Sequence, residues 1–386
     1  MRQNTPVFLA LASLASAQTF SACDPTKGDK CPPNPAFGNC GKPTVFDLST
    51  VPHGADVWKK DKGFLDFWAP EKGILGDKSP LSIGDDGAIL TITNKDQAPL
   101  IKTNKYLFYG RVEVETKAAP GVGIVTSIVL ESDDRDEIDW EWIGGEQTNV
   151  QTNFFSKGAN EFVNGITHAV SFNAMEGLHK YAIDWTPERI VFSVDGAEIR
   201  RATPKDFNKW PQTPVQVKLG TWVGGKTDLP QGTIDWAGGL ADFAQAPFVA
   251  AYKSISITDY CGGKDKAGSY SYSDASGSQD SIVISDAGAD VGFGGDDDGE
   301  DTSSAKPTKT KSDEKTTAKP TASSTSSADD SASSGDASES GSGGDAEPTG
   351  GADAGADQGD DGSAASVAGM SSTLAAAAAL GWLLFA

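Results

Sequence analysis

The chain is poor in the side chains that hold metals and in those that attract polyanions. Of 386 residues only 3 are histidine and 4 are cysteine. His53, His168 and His179 fall in no clustered motif, so no metal site and no cofactor is expected. Lysine and arginine number 32 against 54 acidic residues, a net charge of −22. That balance excludes nucleic acid as a partner, because phosphate recognition demands a basic footprint. Helical periodicity sustained beyond ten residues is missing outside the two ends, and region 40–262 lacks an N-x-Ser/Thr sequon.

Long apolar runs are confined to the ends. Arg2 precedes an apolar run over 7–14 and then Ala15-Ser16-Ala17, the small-x-small pattern of a signal peptide over 1–17, with the mature chain starting at Gln18. The last thirteen residues, 374–386, are apolar and uncharged, short for a membrane span. Upstream stand small residues, Gly362 and Ser363 first, and then a short spacer. This order fits a GPI-anchor signal over 362–386, with attachment at Gly362 or Ser363; an ordinary tail anchor is the alternative. A secreted protein held to the outer face of the membrane by a lipid is expected.

The four cysteines fit that oxidising route. They allow three pairings, of which Cys23–Cys31 as a local clasp with Cys40–Cys261 closing the folded region is favoured. Composition changes sharply after Cys261. From Gly263 onward the chain carries 22 acidic and 7 basic residues amid Ser, Gly, Ala and Thr, so most of the negative charge lies there and the rest is mildly acidic. Such a segment buries too little apolar surface to offset its ordering entropy, and 263–361 is expected to be a disordered, O-glycosylated stalk. Residues 18–39 then form a Cys-containing N-terminal segment, and 40–262 one monomeric domain. Within it, strand-like stretches at 106–116, 127–130, 137–143, 149–155, 179–185, 189–194, 215–222 and 254–259 alternate with turns such as Gly144-Gly145 and Asp195-Gly196. The fold class expected is all-β, a β-sandwich of jelly-roll type followed by the Ser/Thr/Asp/Gly-rich tail.

What is present in abundance is acid at one place. Glu137-Ile138-Asp139-Trp140-Glu141-Trp142 alternates acid and apolar at period two, a strand with one face in a core and one out of it. Acidic residues on an exposed strand face are common in an acidic protein. Three in-phase carboxylates backed by two in-phase tryptophans are not, because like charges on one strand face cost stability. Cleavage or transfer of a glycosidic bond requires two carboxyl groups with separated pKa values. In a flat strand residues i and i+4 lie about 13 Å apart, whereas a retaining pair needs about 5–5.5 Å. Spacing alone therefore does not decide which two acids form the pair. On a strongly bent sheet Glu137 and Glu141 converge, with Glu137 as nucleophile, Glu141 as acid/base and Asp139 as helper between them. Gln151 and Asn153 share one strand face and suit either sugar hydroxyls or surface amides. Trp140, Trp142 and Trp185 read as core, and Trp68 and Trp236 as either core or cleft.

The nine residues from Asp136 to Gly144 (Asp-Glu-Ile-Asp-Trp-Glu-Trp-Ile-Gly) resemble the signature of glycoside hydrolase family 16. Stretches 107–115, 117–121, 123–130, 151–155, 181–186 and 232–239 are similar to the fungal Crh-type cell-wall transglycosylases, and 246–250 also to plant xyloglucan endotransglycosylases. The resemblance covers nearly all of 40–262. It implies a curved jelly-roll, retention of anomeric configuration, the roles given above for Glu137, Asp139 and Glu141, and transfer of chitin (the donor) onto β-1,3- or β-1,6-glucan. It also implies Lys218, Trp222 and Thr233 as cleft-lining sugar contacts beside Glu141, and a place at the plasma membrane or in the wall. Two other readings remain: a secreted β-glucanase that only hydrolyses, and a non-catalytic wall lectin.

Overall fold

The computed structural model describes residues 23–71, 79–159, 164–207 and 209–288. The expected signal peptide, the expected stalk from residue 289 onward and the expected anchor signal with Gly362 and Ser363 lie outside the described residues. In chain order the first strands are β1 (Asn34–Pro35), β2 (Thr44–Asp47), β3 (Trp68–Pro70), β4 (Leu81–Gly84), β5 (Gly87–Ile92) and β6 (Leu100–Thr103). The central ones are β7 (Gly110–Lys117), β8 (Ile124–Ser132), β9 (Glu137–Ile143), β10 (Asn149–Phe155), β11 (Ile166–Ala169) and β12 (His179–Thr186). The last are β13 (Arg189–Val194), β14 (Ala197–Ala202), β15 (Val215–Val223), β16 (Phe248–Asp259), β17 (Ser269–Tyr272) and β18 (Ile282–Ser285). Among the described residues there are also two α-helices of six residues, α1 (Lys62–Phe67) and α2 (Gln231–Trp236), and short 3-10 turns such as Leu48–Thr50.

Two antiparallel sheets face each other. One runs β11-β10-β9-β8-β15-β6-β3, the other β14-β13-β12-β7-β16-β5-β4 with β2 also paired to β16. The sequence pattern explains the layering. In β7, Val112, Val114 and Thr116 point inward and alternate with half-buried charges, the signature of a strand with one wet face. β8 is buried on both faces. Ile124, Ile128 and Leu130 enter the main core, while Val125, Ser127, Val129 and Glu131 line the opposite face, alongside the acids of β9. Trp140 and Trp142 are fully buried between the sheets and meet Tyr181 edge-on at centroid distances of 5.4 and 4.6 Å. Trp185 is core as well, donating its indole N–H to Pro211 O. Trp68 proves to be core, fully buried against Phe46 and Phe67.

The folded region is wider than the expected 40–262. β1, β17 and β18 form a separate three-stranded sheet, and Tyr270 within it is fully buried. The link is Asp259 at the end of β16. Its carboxylate accepts from the Gly38, Phe108 and Cys261 backbone N–H groups and from the Tyr270 hydroxyl at 2.6 Å. Residues 263–288 therefore belong to the fold and not to the stalk. Their serines mask the inward positions of Tyr270, Ile282 and Ile284 in a composition count.

Both favoured disulfides are formed, Cys23–Cys31 and Cys40–Cys261. The second closes a loop with a sequence separation of 221, which in the chain-entropy account stabilises by about 5 kcal/mol. The paired variant Cys40→Ser/Cys261→Ser is accordingly expected to lose about 2–5 kcal/mol in denaturant unfolding. A loss below about 0.5 kcal/mol would show that the Asp259 hub alone fastens the chain ends.

Candidate active site

The three acids of β9 stand on the sheet face turned away from the main core, and strand register fixes what surrounds each. Glu137 lies opposite Phe155 of β10 and Glu131 of β8. Asp139 lies opposite Asn153 and Val129, with Lys218 of β15 and Lys102 of β6 next along that row. Glu141 lies opposite Gln151 and Ser127, followed by Gly220. One row further come Ile143, Val125 and Trp222. Glu137 and Asp139 are 6% and 1% exposed, while Glu141 is half-buried.

The strand is anchored just before its first acid. The Asp136 carboxylate accepts from Ser156 Oγ, from the N–H of Lys157 and Gln212, and from Lys157 Nζ at 2.7 Å, with Thr213 Oγ1 also at 2.7 Å. At the other end, close backbone crossings hold α2 against the sheet. A Cβ on Gly225 would come within 2.0 Å of Gly239 O and 2.6 Å of Gly123 Cα. Gly225→Ala must push the 237–241 segment away and is expected to cost about 1–3 kcal/mol of stability, read as a lower thermal midpoint, together with weakened substrate binding. An unchanged KM would separate this crossing from the site.

Burial dominates the electrostatics. It raises the Glu137 carboxyl well above its ordinary 4.5, with the Asp139 and Glu131 charges adding to the rise and the Lys218 ammonium opposing it. Asp139 is raised by burial and by Glu141, and the Arg200 guanidinium on β14 opposes this. Glu141 is pushed up to about 8 by burial and then by Glu137. A row of carboxyls so placed cannot all ionise at neutral pH. Burial favours the protonated form along the whole row, and the charge of one carboxyl raises the next, so the row couples the ionisation of one group to retention of a proton on its neighbour, a coupling that acid-assisted glycosidic cleavage can use.

The expected sugar contacts divide. Lys218 is 7% exposed and its ammonium pairs with the carboxylate of Glu131, so its charge is engaged inside the protein. Trp222 is 9% exposed and lies near-parallel to Trp236, with ring centroids 6.0 Å apart. Trp236 is half-buried and donates its indole N–H to Gln151 Oε1 at 2.9 Å, which ties α2 to β10 along one side of the acids. Thr233 stands three residues earlier in α2, partly exposed. The Asn153 side-chain oxygen accepts from the N–H of Phe154, a local bond that leaves its amide N–H₂ for other partners. Glu131 and Asp136 join the site without having been singled out for it, and Trp236, read as either core or cleft, stands beside the acids. Glu131 ends an apolar run, and only the register against Glu137 gives it meaning. Among the described residues no cluster of His, Cys, Asp and Glu fits a metal ion.

An antiparallel sandwich with three in-phase carboxyl groups along one strand of one sheet face fits a glycoside-bond enzyme of the two-carboxylate class. The comparisons agree. Residues 71–238 match the model of glycosyl hydrolases family 16. Crh-like protein 5 of Aspergillus fumigatus is 41% identical over 285 residues, covering 73% of this chain and 66% of that relative. Crh-like protein 1 of the same organism is 39% identical over 282 residues, covering 72% of this chain and 70% of the relative. The solved Crh5 transglycosylase in complex with NAG superposes with a TM-score of 0.59 at 39% identity, over 68% of this chain and 100% of that one. The chain belongs to glycosyl hydrolase family 16, among the Crh-like proteins. It spans just under two thirds of the length of Crh-like protein 5.

Proposed function

We propose that this protein is a retaining transglycosylase that cleaves chitin, a β-1,4-linked N-acetylglucosamine chain, and transfers the fragment to cell-wall β-glucan. The observation that carries the reading is the row of Glu137, Asp139 and Glu141 on one face of β9, in which burial raises every carboxyl and the Glu137 charge raises Glu141 further, so that ionising one strengthens the hold of its neighbour on a proton. In the first step a Glu137 oxygen attacks C1 while Glu141 gives its proton to the glycosidic oxygen. The C1–O bond breaks and the reducing-end fragment leaves. In the second step Glu141, now a carboxylate, takes the proton of an acceptor hydroxyl, whose oxygen attacks C1 and releases Glu137. Two inversions give net retention. Asp139 lies between the two and shares the proton balance of the row.

Chitin as donor is supported by the NAG bound in the solved Crh5 relative, and transfer by that relative's description as a transglycosylase. Trp222 and Trp236 offer flat rings for a sugar face, and Thr233, Gln151 and Asn153 offer hydrogen bonds at its edge. The protein works outside the cell as a GPI-anchored, O-glycosylated monomer at the plasma membrane or in the wall, with β-1,3- or β-1,6-glucan as acceptor. The test incubates the secreted protein, carried at least through residue 288, with chitin oligosaccharides and a fluorescent laminari-oligosaccharide. A labelled hybrid oligomer read by mass is expected. Shortened chitin fragments without the hybrid would demote the protein to a hydrolase, and cleavage of β-glucan alone would make it a β-glucanase.

A further inference from the structure

Glu131 faces Glu137 across the β8–β9 pair, a fourth carboxylate on the same sheet face and only 3% exposed. Burial raises the Glu131 carboxyl to about 7, with Lys218 opposing the rise, and the Glu131 charge in turn raises Glu137. The compensating charge comes from β15. Lys218 stands on the Asp139 row, and its ammonium reaches diagonally to Glu131 Oε2, with side chains 8% and 1% exposed. The remaining Glu131 oxygen, Oε1, has no hydrogen-bonding partner among the described residues.

Glu137 is ringed by charged groups from several strands. Its own strand brings Asp139 and Glu141, β8 brings Glu131, and β15 brings Lys218. β6 brings Lys102, which is paired with Glu71 at 2.9 Å. The β10 neighbour, Phe155, brings no charge, and Arg200 acts on Asp139 from the outer sheet. Lys218 is thus the cation whose placement beside Glu137 matters most.

We infer that Glu131 is a positioning residue for the transfer reaction: by holding the Lys218 ammonium it keeps that cation off Glu137 and presents the nucleophile with a net-neutral pair. The inference rests on the nucleophile role proposed for Glu137. Two physical reasons support it. A carboxylate paired directly with an ammonium is stabilised in its resting form and attacks more slowly. The transition state is oxocarbenium-like and gains positive charge, so an uncompensated ammonium at close range opposes it in a low-dielectric cleft. Glu131 removes both penalties through its ion pair with Lys218.

The experiment uses the full secreted chain and four variants: Glu137→Gln, Glu131→Gln, Lys218→Met, and Glu131→Gln with Lys218→Met. An active parent with an inactive Glu137→Gln fixes the reading on which the inference depends, and an inactive parent would remove both together. In Glu131→Gln the freed ammonium is expected to lower kcat about tenfold or more. It is also expected to move the acidic limb of the kcat/KM profile roughly one unit toward lower pH. Adding Lys218→Met is expected to return the limb and recover most of that loss. A double variant no faster than Glu131→Gln, with the limb unmoved throughout, would overturn the inference and leave the pair a structural one. Should Glu131→Gln alone fail to fold, the double variant and Lys218→Met still decide. With Lys218 already neutral, Glu131→Gln is expected to change kcat less than about threefold, and a further tenfold loss would contradict coupling through the ammonium.

Discussion

Glu137→Gln is expected to lower transfer by at least about 10⁴-fold, the scale seen when a nucleophile that works as part of a unit is removed. The amide matches the carboxylate in shape but offers no charged oxygen to C1. The variant should fold as well as the parent or better, because Glu137 is buried among Asp139 and Glu131 and its charge is the more costly form there. Thermal midpoint and activity are therefore expected to move independently. A midpoint loss in proportion to the activity loss would point to misfolding and not to chemistry. The same substitution removes the charge that helps raise Glu141, so the Glu141 carboxyl is expected to titrate at lower pH in Glu137→Gln, a shift that carboxyl-labelled NMR can read.

The second large effect is at Glu141, and its pH dependence has a definite sign. Glu141 must carry its proton for the first step, and its carboxyl is pushed up to about 8. The rate is then full below that value and falls about tenfold per unit above it. Glu137 must be ionised, and burial raises it above 4.5, so the acidic limb lies above pH 4.5. The kcat/KM profile is expected to be a bell with its basic limb near pH 8. In Glu141→Gln the basic limb is expected to vanish and activity on chitin to fall about 10²–10⁴-fold. A donor with a leaving group that needs no protonation restores the first step, and azide, an acceptor with no proton to remove, restores turnover. A basic limb that survives in Glu141→Gln would assign the acid to another group.

Much of this was legible in the chain because the strongest signals were periodic. β9 and β10 run over the residues that the alternation marks, and the tryptophans of β9 face the core because a period-two strand leaves them no other side. The rest depends on pairing across strands, which no single stretch encodes. Arg200 lies in β14, a strand the sequence pattern did not mark, and an arginine on a polar edge reads as surface. In the fold it is 7% exposed, donates to Thr152 O and Oγ1 at 2.8 Å and to Asn164 O at 2.6 Å, and sits between the rings of Phe154 and Phe192. Lys218 was readable as a cleft residue, but its engagement by Glu131 follows only from the register of β8, β9 and β15. The C-terminal boundary was misplaced because Tyr270, Ile282 and Ile284 are spaced by serine and aspartate, and the Asp259 hub that recruits them is assembled from four distant segments.

The central claim is that a covalent sugar ester forms on Glu137. With an N-acetylglucosamine donor the alternative is attack on C1 by the substrate's own acetamido oxygen, which also gives retention but leaves the enzyme unmodified. Glu141→Gln treated with a chito-oligosaccharyl fluoride separates the two, since the first step proceeds without acid help and the second stalls without a base. Intact mass followed by peptide mapping is expected to find one glycosyl unit on the peptide spanning 136–142, at Glu137. An unmodified enzyme that nevertheless releases fluoride, or an adduct on any other residue, would contradict the account.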